Sequence, residues 1–211
     1  MRKRRKNHPA IPIALVLIAA AALIAALAVF SCRKPFNIDE AALSELIENA
    51  DYPNAEAETA VRAAASLVGR VHYFWGGKSF CIGEDPDWGC PKTVTSAGSS
   101  TTGTVRAFGL DCSGLVTWAF IQAGYTPDEI GNGTWNQWFA SEETAASELR
   151  PGDLGFQREY PGSSGNHVGI FIGYYKGRPI FIHCSPSYDN VVVTSGEGLF
   201  NYYRRPQRAG V

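Results

Sequence analysis

The apolar positions of this chain change their period along its length. Residues 11–30, "IPIALVLIAAAALIAALAVF", carry no charge at all. A helix of that length spans roughly 30 Å, the thickness of a bilayer's hydrocarbon core. Residues 37–50, "NIDEAALSELIENA", predict a short helix capped by Asn37 or Asp39. Helical spacing resumes over 55–69 through Val61, Ala65 and Val68, and stops at Gly69. Residues 81–106 lose periodicity and fill with Gly, Ser, Thr and Pro, which predicts a long surface excursion. "GLDCSGLVTWAF" at 109–120 opens another helix, which Gly124 ends. Residues 125–150 read as loop with a weak helix around 141–149.

Beyond that point the period shortens to two. "RPGDLGF" at 150–156 is a turn feeding a strand, and further strands are predicted at 167–175, 178–185, 191–194 and 201–205. Helices first, then strands joined by short turns, predict an α+β fold with an antiparallel sheet.

Charge divides the chain. Residues 2–6, "RKRRK", precede the apolar run, and every acidic residue lies after position 34. A basic cluster before a span stays cytoplasmic, which places the remainder outside the cell. The expected organisation is a cytoplasmic tail at 1–10, a transmembrane anchor at 11–30, a linker and short helix at 31–54, and a folded domain at 55–211. Two alternatives stand beside the retained anchor. "ALA" at 26–28 is a possible cleavage site, and "VFSC" at 29–32 loosely resembles a lipoprotein box with Cys32 as the lipidated residue. From Phe36 onward twelve basic residues face twenty acidic ones, which argues against a nucleic-acid partner.

Export brings an oxidising compartment, so cysteine pairing is the default. Cys81 and Cys90 bracket "IGEDPDWG", a loop able to turn the chain back, and are expected to form a disulfide. There is no CxxC spacing, so no metal is expected. Nor is a cofactor: "GSSTTGT" at 98–104 lacks the lysine a phosphate loop needs. Cys184 alternates with His183 on a strand and shares a face with Ile180 and Ile182, so it reads as a core residue. Cys112 is different. It opens a helix behind Asp111, where unpaired N–H groups favour a thiolate and can donate to an oxyanion. His167 and His183 lie on neighbouring predicted strands, able to meet near that helix start. One imidazole would take the thiol proton and a second polar group would orient it. The negative charge of Asp111 works against a thiolate, and the helix dipole and His167 are expected to outweigh it.

These residues resemble a known family. "DCSGLV" at 111–116, "RPGDLGF" at 150–156, "NHVGIFIG" at 166–173 and "FIHCS" at 181–185 are similar, in order and spacing, to the NlpC/P60 cysteine peptidases, and "YFWGG" at 73–77 resembles their upstream signature. The resemblance covers about residues 55–205. It implies a papain-like fold, with N-terminal helices and a nucleophile helix packed on the sheet. It implies hydrolysis of peptidoglycan stem peptides, typically between γ-D-glutamyl and a diamino acid. Cys112 would be the nucleophile, His167 the base and His183 its orienting partner. Asp111 and Ser113 would receive a substrate's free amino end, and Tyr73 would aid the oxyanion site. The stretches 78–110 and 125–150 look longer than the family pattern. A catalytically silent anchored scaffold, or a thiol amidase or acyltransferase on another amide, are the competing readings, and the oligomeric state is open.

Overall fold

A computed structural model describes residues 38–162 and 165–208 of the 211-residue chain. The expected anchor, its alternatives and the Asn37 cap lie outside the described residues. Among the described residues no helix is long and apolar enough to cross a membrane.

The compact unit runs from Ile38. Its first helix, α1 (Glu40–Glu48), is capped by the Asp39 side chain, which accepts from Ala42 N at 2.8 Å. Asn54 caps α2 (Ala55–Ser66) in the same way, through Ala57 N. Helix α3 (Cys112–Gln122) is capped by Asp111 and buried over residues 112–121 on all sides. That is why it shows no polar face in the sequence: a helix enclosed by the rest of the fold has no solvent side to reserve. It packs on α2 and on two neighbouring strands of the sheet, residues 168–175 and 178–185.

The sheet has six strands: β3 (Ser141–Thr144), β4 (Leu154–Phe156), β5 (Val168–Tyr175), β6 (Arg178–Ser185), β7 (Asn190–Ser195) and β8 (Tyr202–Pro206), in the spatial order β3-β8-β4-β5-β6-β7. All neighbours are antiparallel, as the alternation predicts. In β5 and β6 Ile170 sits opposite Ile182, and Phe171 opposite Phe181. Helix α1 lies against β5, where Gly173 leaves room for Leu46: a Cβ there would come within 2.8 Å of Leu46 Cδ1.

Two expectations change and one gains detail. The weak helix around 141–149 is instead β3, paired with β8, followed by a 3₁₀ turn at Ala146–Glu148. A strand this short is defined by its partner, which local periodicity does not record. The surface excursion is ordered: β1 (Pro91–Thr93) and β2 (Val105–Ala107) pair within it, and Trp75 Nε1 donates to Ala97 O at 2.9 Å. Inside it Cys81 and Cys90 are exposed free thiols rather than a disulfide. Each is held by a different element. Cys81 O accepts from Gln122 of α3 at 2.9 Å, while Cys90 O accepts from Phe108 N at 2.8 Å.

The segment "HYFWGG" runs alongside residues 109–111. Phe74 N donates to Leu110 O at 2.9 Å, Leu110 N to His72 O at 3.1 Å, and Asp111 N to Gly77 O at 3.1 Å. Three glycines permit this approach. A Cβ on Gly109 would fall on the His72 carbonyl oxygen, one on Gly77 on the Gly109 carbonyl oxygen, and one on Gly114 on the Gly77 carbonyl oxygen. Two backbones therefore touch where Cys112 begins its helix. Because the neighbour is backbone, Gly114→Ala should cost about 1–3 kcal/mol or more in stability, read as a fall in the thermal midpoint of several degrees. A midpoint within a degree of wild type would show that the two segments can separate freely.

Candidate active site

Cys112 sits at the first turn of α3 with 8% of its surface exposed. The backbone N–H groups of Ser113 and Val168 point at its sulfur, and Lys78 adds positive charge; all three favour the thiolate. Burial and the Asp111 carboxylate oppose them and prevail, pushing the thiol up to about 12. The balance is thus the reverse of the one the sequence suggests, because depth in the fold outweighs the helix terminus.

The Val168 contact brings the sulfur to the start of β5, immediately after His167. The strand register explains the histidine pair. Carried from Ile170–Ile182 back toward His167, it puts both histidines on one face, a diagonal step apart. His167 Nε2 lies 2.8 Å from His183 Nδ1, and His183 Nε2 lies 2.9 Å from Thr194 Oγ1 on β7. With the protons running outward, His167 Nε2–H donates to His183 and His183 Nε2–H donates to Thr194. His167 Nδ1 then carries no proton, the state a base requires. Burial keeps both rings neutral: it lowers His167 to about 4 and His183 to about 3, with the neighbouring His167 lowering His183 further. Cys184 faces away from this line, with its thiol toward Leu110 O at 3.1 Å.

An aromatic floor carries the two rings. Phe200 stacks on His167 with centroids 5.7 Å apart and meets His183 edge-on at 5.6 Å. It fits because Gly169 and Gly155 have no side chains: a Cβ at either would come within 2.9 Å of the Phe200 ring or its Cβ. Behind the cysteine, the fully buried Gln137 of α4 (Thr134–Phe139) donates to Ser113 O at 2.8 Å. The expanded 125–150 stretch thus braces the first turn of α3.

Tyr73 pairs with Leu110 in a parallel bridge. Its hydroxyl is held protonated, first by burial and then by the charges of Cys112 and Asp111, so it remains a donor. Asp111 and Ser113 are already engaged. Lys78 Nζ donates to both Asp111 oxygens at 2.5 and 2.6 Å and to Ser113 Oγ at 2.8 Å, and Asp111 Oδ1 also accepts from Gly114 N at 2.6 Å. Sequence reading identified Cys112, His167, His183, Asp111, Ser113 and Tyr73, which the structure gathers at one place. It missed Lys78, Gln137, Thr194 and Phe200. Only Lys78, directly after "WGG", had a local signal.

A sequence profile of the NlpC/P60 family matches residues 70–205. Among curated proteins, peptidoglycan DL-endopeptidase CwlO of Bacillus licheniformis is 32% identical over 118 residues, covering 55% of this chain and 20% of CwlO. Murein DD-endopeptidase MepS/murein LD-carboxypeptidase of Escherichia coli is 39% identical over 88 residues, covering 41% of this chain and 42% of that protein. This chain therefore spans less than half the length of either relative. Among solved structures, the peptidoglycan hydrolase RipB of Mycobacterium tuberculosis superposes with a TM-score of 0.51 at 25% identity, covering 95% of this chain and 92% of RipB.

A thiol held near 12 beside an imidazole held near 4 gives a clear pH signature. Alkylation of Cys112 by iodoacetamide should rise steadily to above pH 9, with no plateau at neutral pH. A plateau reached by pH 6 would mean a preformed ion pair. Stability should move too. Between an ordinary histidine value near 6.5 and these lowered values, the unfolded chain binds more protons than the folded one. The unfolding free energy should therefore fall with falling pH by up to about 1.4 kcal/mol per pH unit for each ring, measurable by urea titration between pH 6.5 and 4.5.

Proposed function

The chain belongs to the NlpC/P60 family, and from that premise we propose that it is a membrane-anchored cysteine peptidase. Its substrate would be the peptidoglycan stem peptide, cut outside the cell between γ-D-glutamyl and the diamino acid. The observation that carries the chemistry is the line His167–His183–Thr194 set beside a cysteine at a helix start. The charge-free run 11–30 behind "RKRRK" supports the anchor. The choice of bond leans on the DL-endopeptidase name of CwlO. MepS, named a DD-endopeptidase, supplies the rival outcome.

The resting pair is a thiol and a neutral imidazole, so the reaction is one of general-base catalysis. As the sulfur attacks the scissile carbonyl, its proton passes to His167 Nδ1. The imidazolium is steadied through Nε2–H by His183. The oxyanion accepts from N–H groups at the mouth of α3, with the Tyr73 hydroxyl as a further donor. His167 returns the proton to the departing amine of the diamino acid, leaving a thioester. Water, deprotonated by His167, then releases the glutamyl carboxylate and restores the thiol. The intact Cys112, His167 and His183 set disfavours the silent scaffold.

Purified sacculi incubated with the full chain in detergent should release fragments that mass spectrometry assigns a new D-glutamyl carboxylate and a new diamino-acid amine. Cys112→Ala should abolish them, and His167→Ala should lower the rate by at least about a hundredfold. Equal turnover by Cys112→Ala would remove the mechanism. New termini at the D-Ala cross-link would instead reassign the bond.

A further inference from the structure

Asp111 stands one residue from the nucleophile, with its side chain 11% exposed. A carboxylate so nearly buried beside a reacting sulfur demands a cation. If the chain left that demand open, a substrate would meet it, and the cation a peptide offers at its end is an α-ammonium. Here the demand is met from within. Lys78 Nζ, its side chain 19% exposed, places three acceptors around its three N–H groups: both Asp111 oxygens and Ser113 Oγ. The lysine is fixed from both directions. Gly77, the residue before it, donates to Phe74 O at 2.7 Å and accepts from Asp111 N at 3.1 Å. Its ammonium is fastened to the same residue whose amide anchors the carbonyl of Gly77 just before it.

Resting on the peptidase reading above, we propose that Lys78 determines substrate choice. Its ammonium fills the position a free α-amine would take beside Asp111 and Ser113, so the site accepts stem peptides whose amine is acylated, as it is while the peptide is still joined to its sugar. A free-amine substrate has two routes, and both are unfavourable. It can displace Lys78, breaking three charge-assisted hydrogen bonds. Or it can sit beside Nζ as a like charge among side chains only 11% and 19% exposed, where a separation of about 4 Å is strongly repulsive. An acylated amine is neutral and avoids both. The reaction that supplies this substrate is therefore glycan and stem synthesis itself, with no preceding amidase step.

Two synthetic peptides test this, L-alanyl-γ-D-glutamyl-diamino acid with a free amine and the same peptide N-acetylated. The full chain should cleave the acetylated peptide with a kcat/KM at least about tenfold higher. Lys78→Met should narrow that ratio at least about tenfold by admitting the free amine, and Lys78→Arg, which keeps the charge, should retain the wild-type preference. A wild-type preference for the free amine overturns the proposal, as does an unchanged ratio in a Lys78→Met variant with wild-type circular dichroism. Should Lys78→Met fail to fold, the wild-type ratio and Lys78→Arg decide. Cleavage of neither peptide would count against the peptidase reading alone. Calorimetric Kd values for the two peptides on Cys112→Ala then judge Lys78, with tighter binding of the acetylated peptide expected and equal or weaker binding contradicting it.

Discussion

The contact between two stretches of backbone, residues 72–77 and 109–111, is the constraint on which the site depends. Hydrogen bonds from Phe74 to Leu110 and from Asp111 to Gly77 fix where α3 begins. That point fixes Cys112, and the same contact delivers Tyr73 and Lys78 to either side of it. Side chains at positions 77, 109 or 114 would hold the strands of this contact apart. The glycines are therefore conditions of the geometry, and their cost in backbone entropy is offset by the hydrogen bonds they permit.

Burial sets the electrostatic state of the pair. A cysteine at a helix terminus in open water would shed its proton readily, but Cys112 is enclosed by α3, β5 and the Asp111 carboxylate. The histidines are enclosed as well, on the floor made by Phe200. Desolvation disfavours charge on all three groups at once. A neutral resting site suits an enzyme that moves a proton only when a substrate carbonyl is present. Lys78 has a double part in this arrangement. It offsets part of the Asp111 charge, which raises the thiol, and it occupies the place beside Asp111 that a second cation would need.

The stretches 78–110 and 125–150, which look long in the sequence, are both tied into the fold. Gln137 reaches from α4 to the Ser113 carbonyl, and β3 extends the sheet beyond β8. The excursion after "WGG" folds back through the β1–β2 pair and ties to α3 through Gln122, which holds Cys81 and Gly83. Such ties are side chain to backbone and long in sequence separation, and they replace the disulfide that cysteine spacing had suggested.

Period and punctuation in the sequence determined the three helices α1, α2 and α3 and most strands of the antiparallel sheet, and motif spacing predicted that Cys112, His167 and His183 would lie near one another. Those features rest on interactions within a few residues, or on motifs whose spacing is preserved. Only the tertiary structure decided that 141–144 is a strand, that Cys81 and Cys90 stand apart, and that Thr194 completes the histidine line. It alone placed Phe200 beneath the imidazoles and Lys78 on Asp111. The reason is the same in each case: the partner lies far along the chain, and burial, which orders the charges of the site, belongs to the assembled fold and to no local stretch of it.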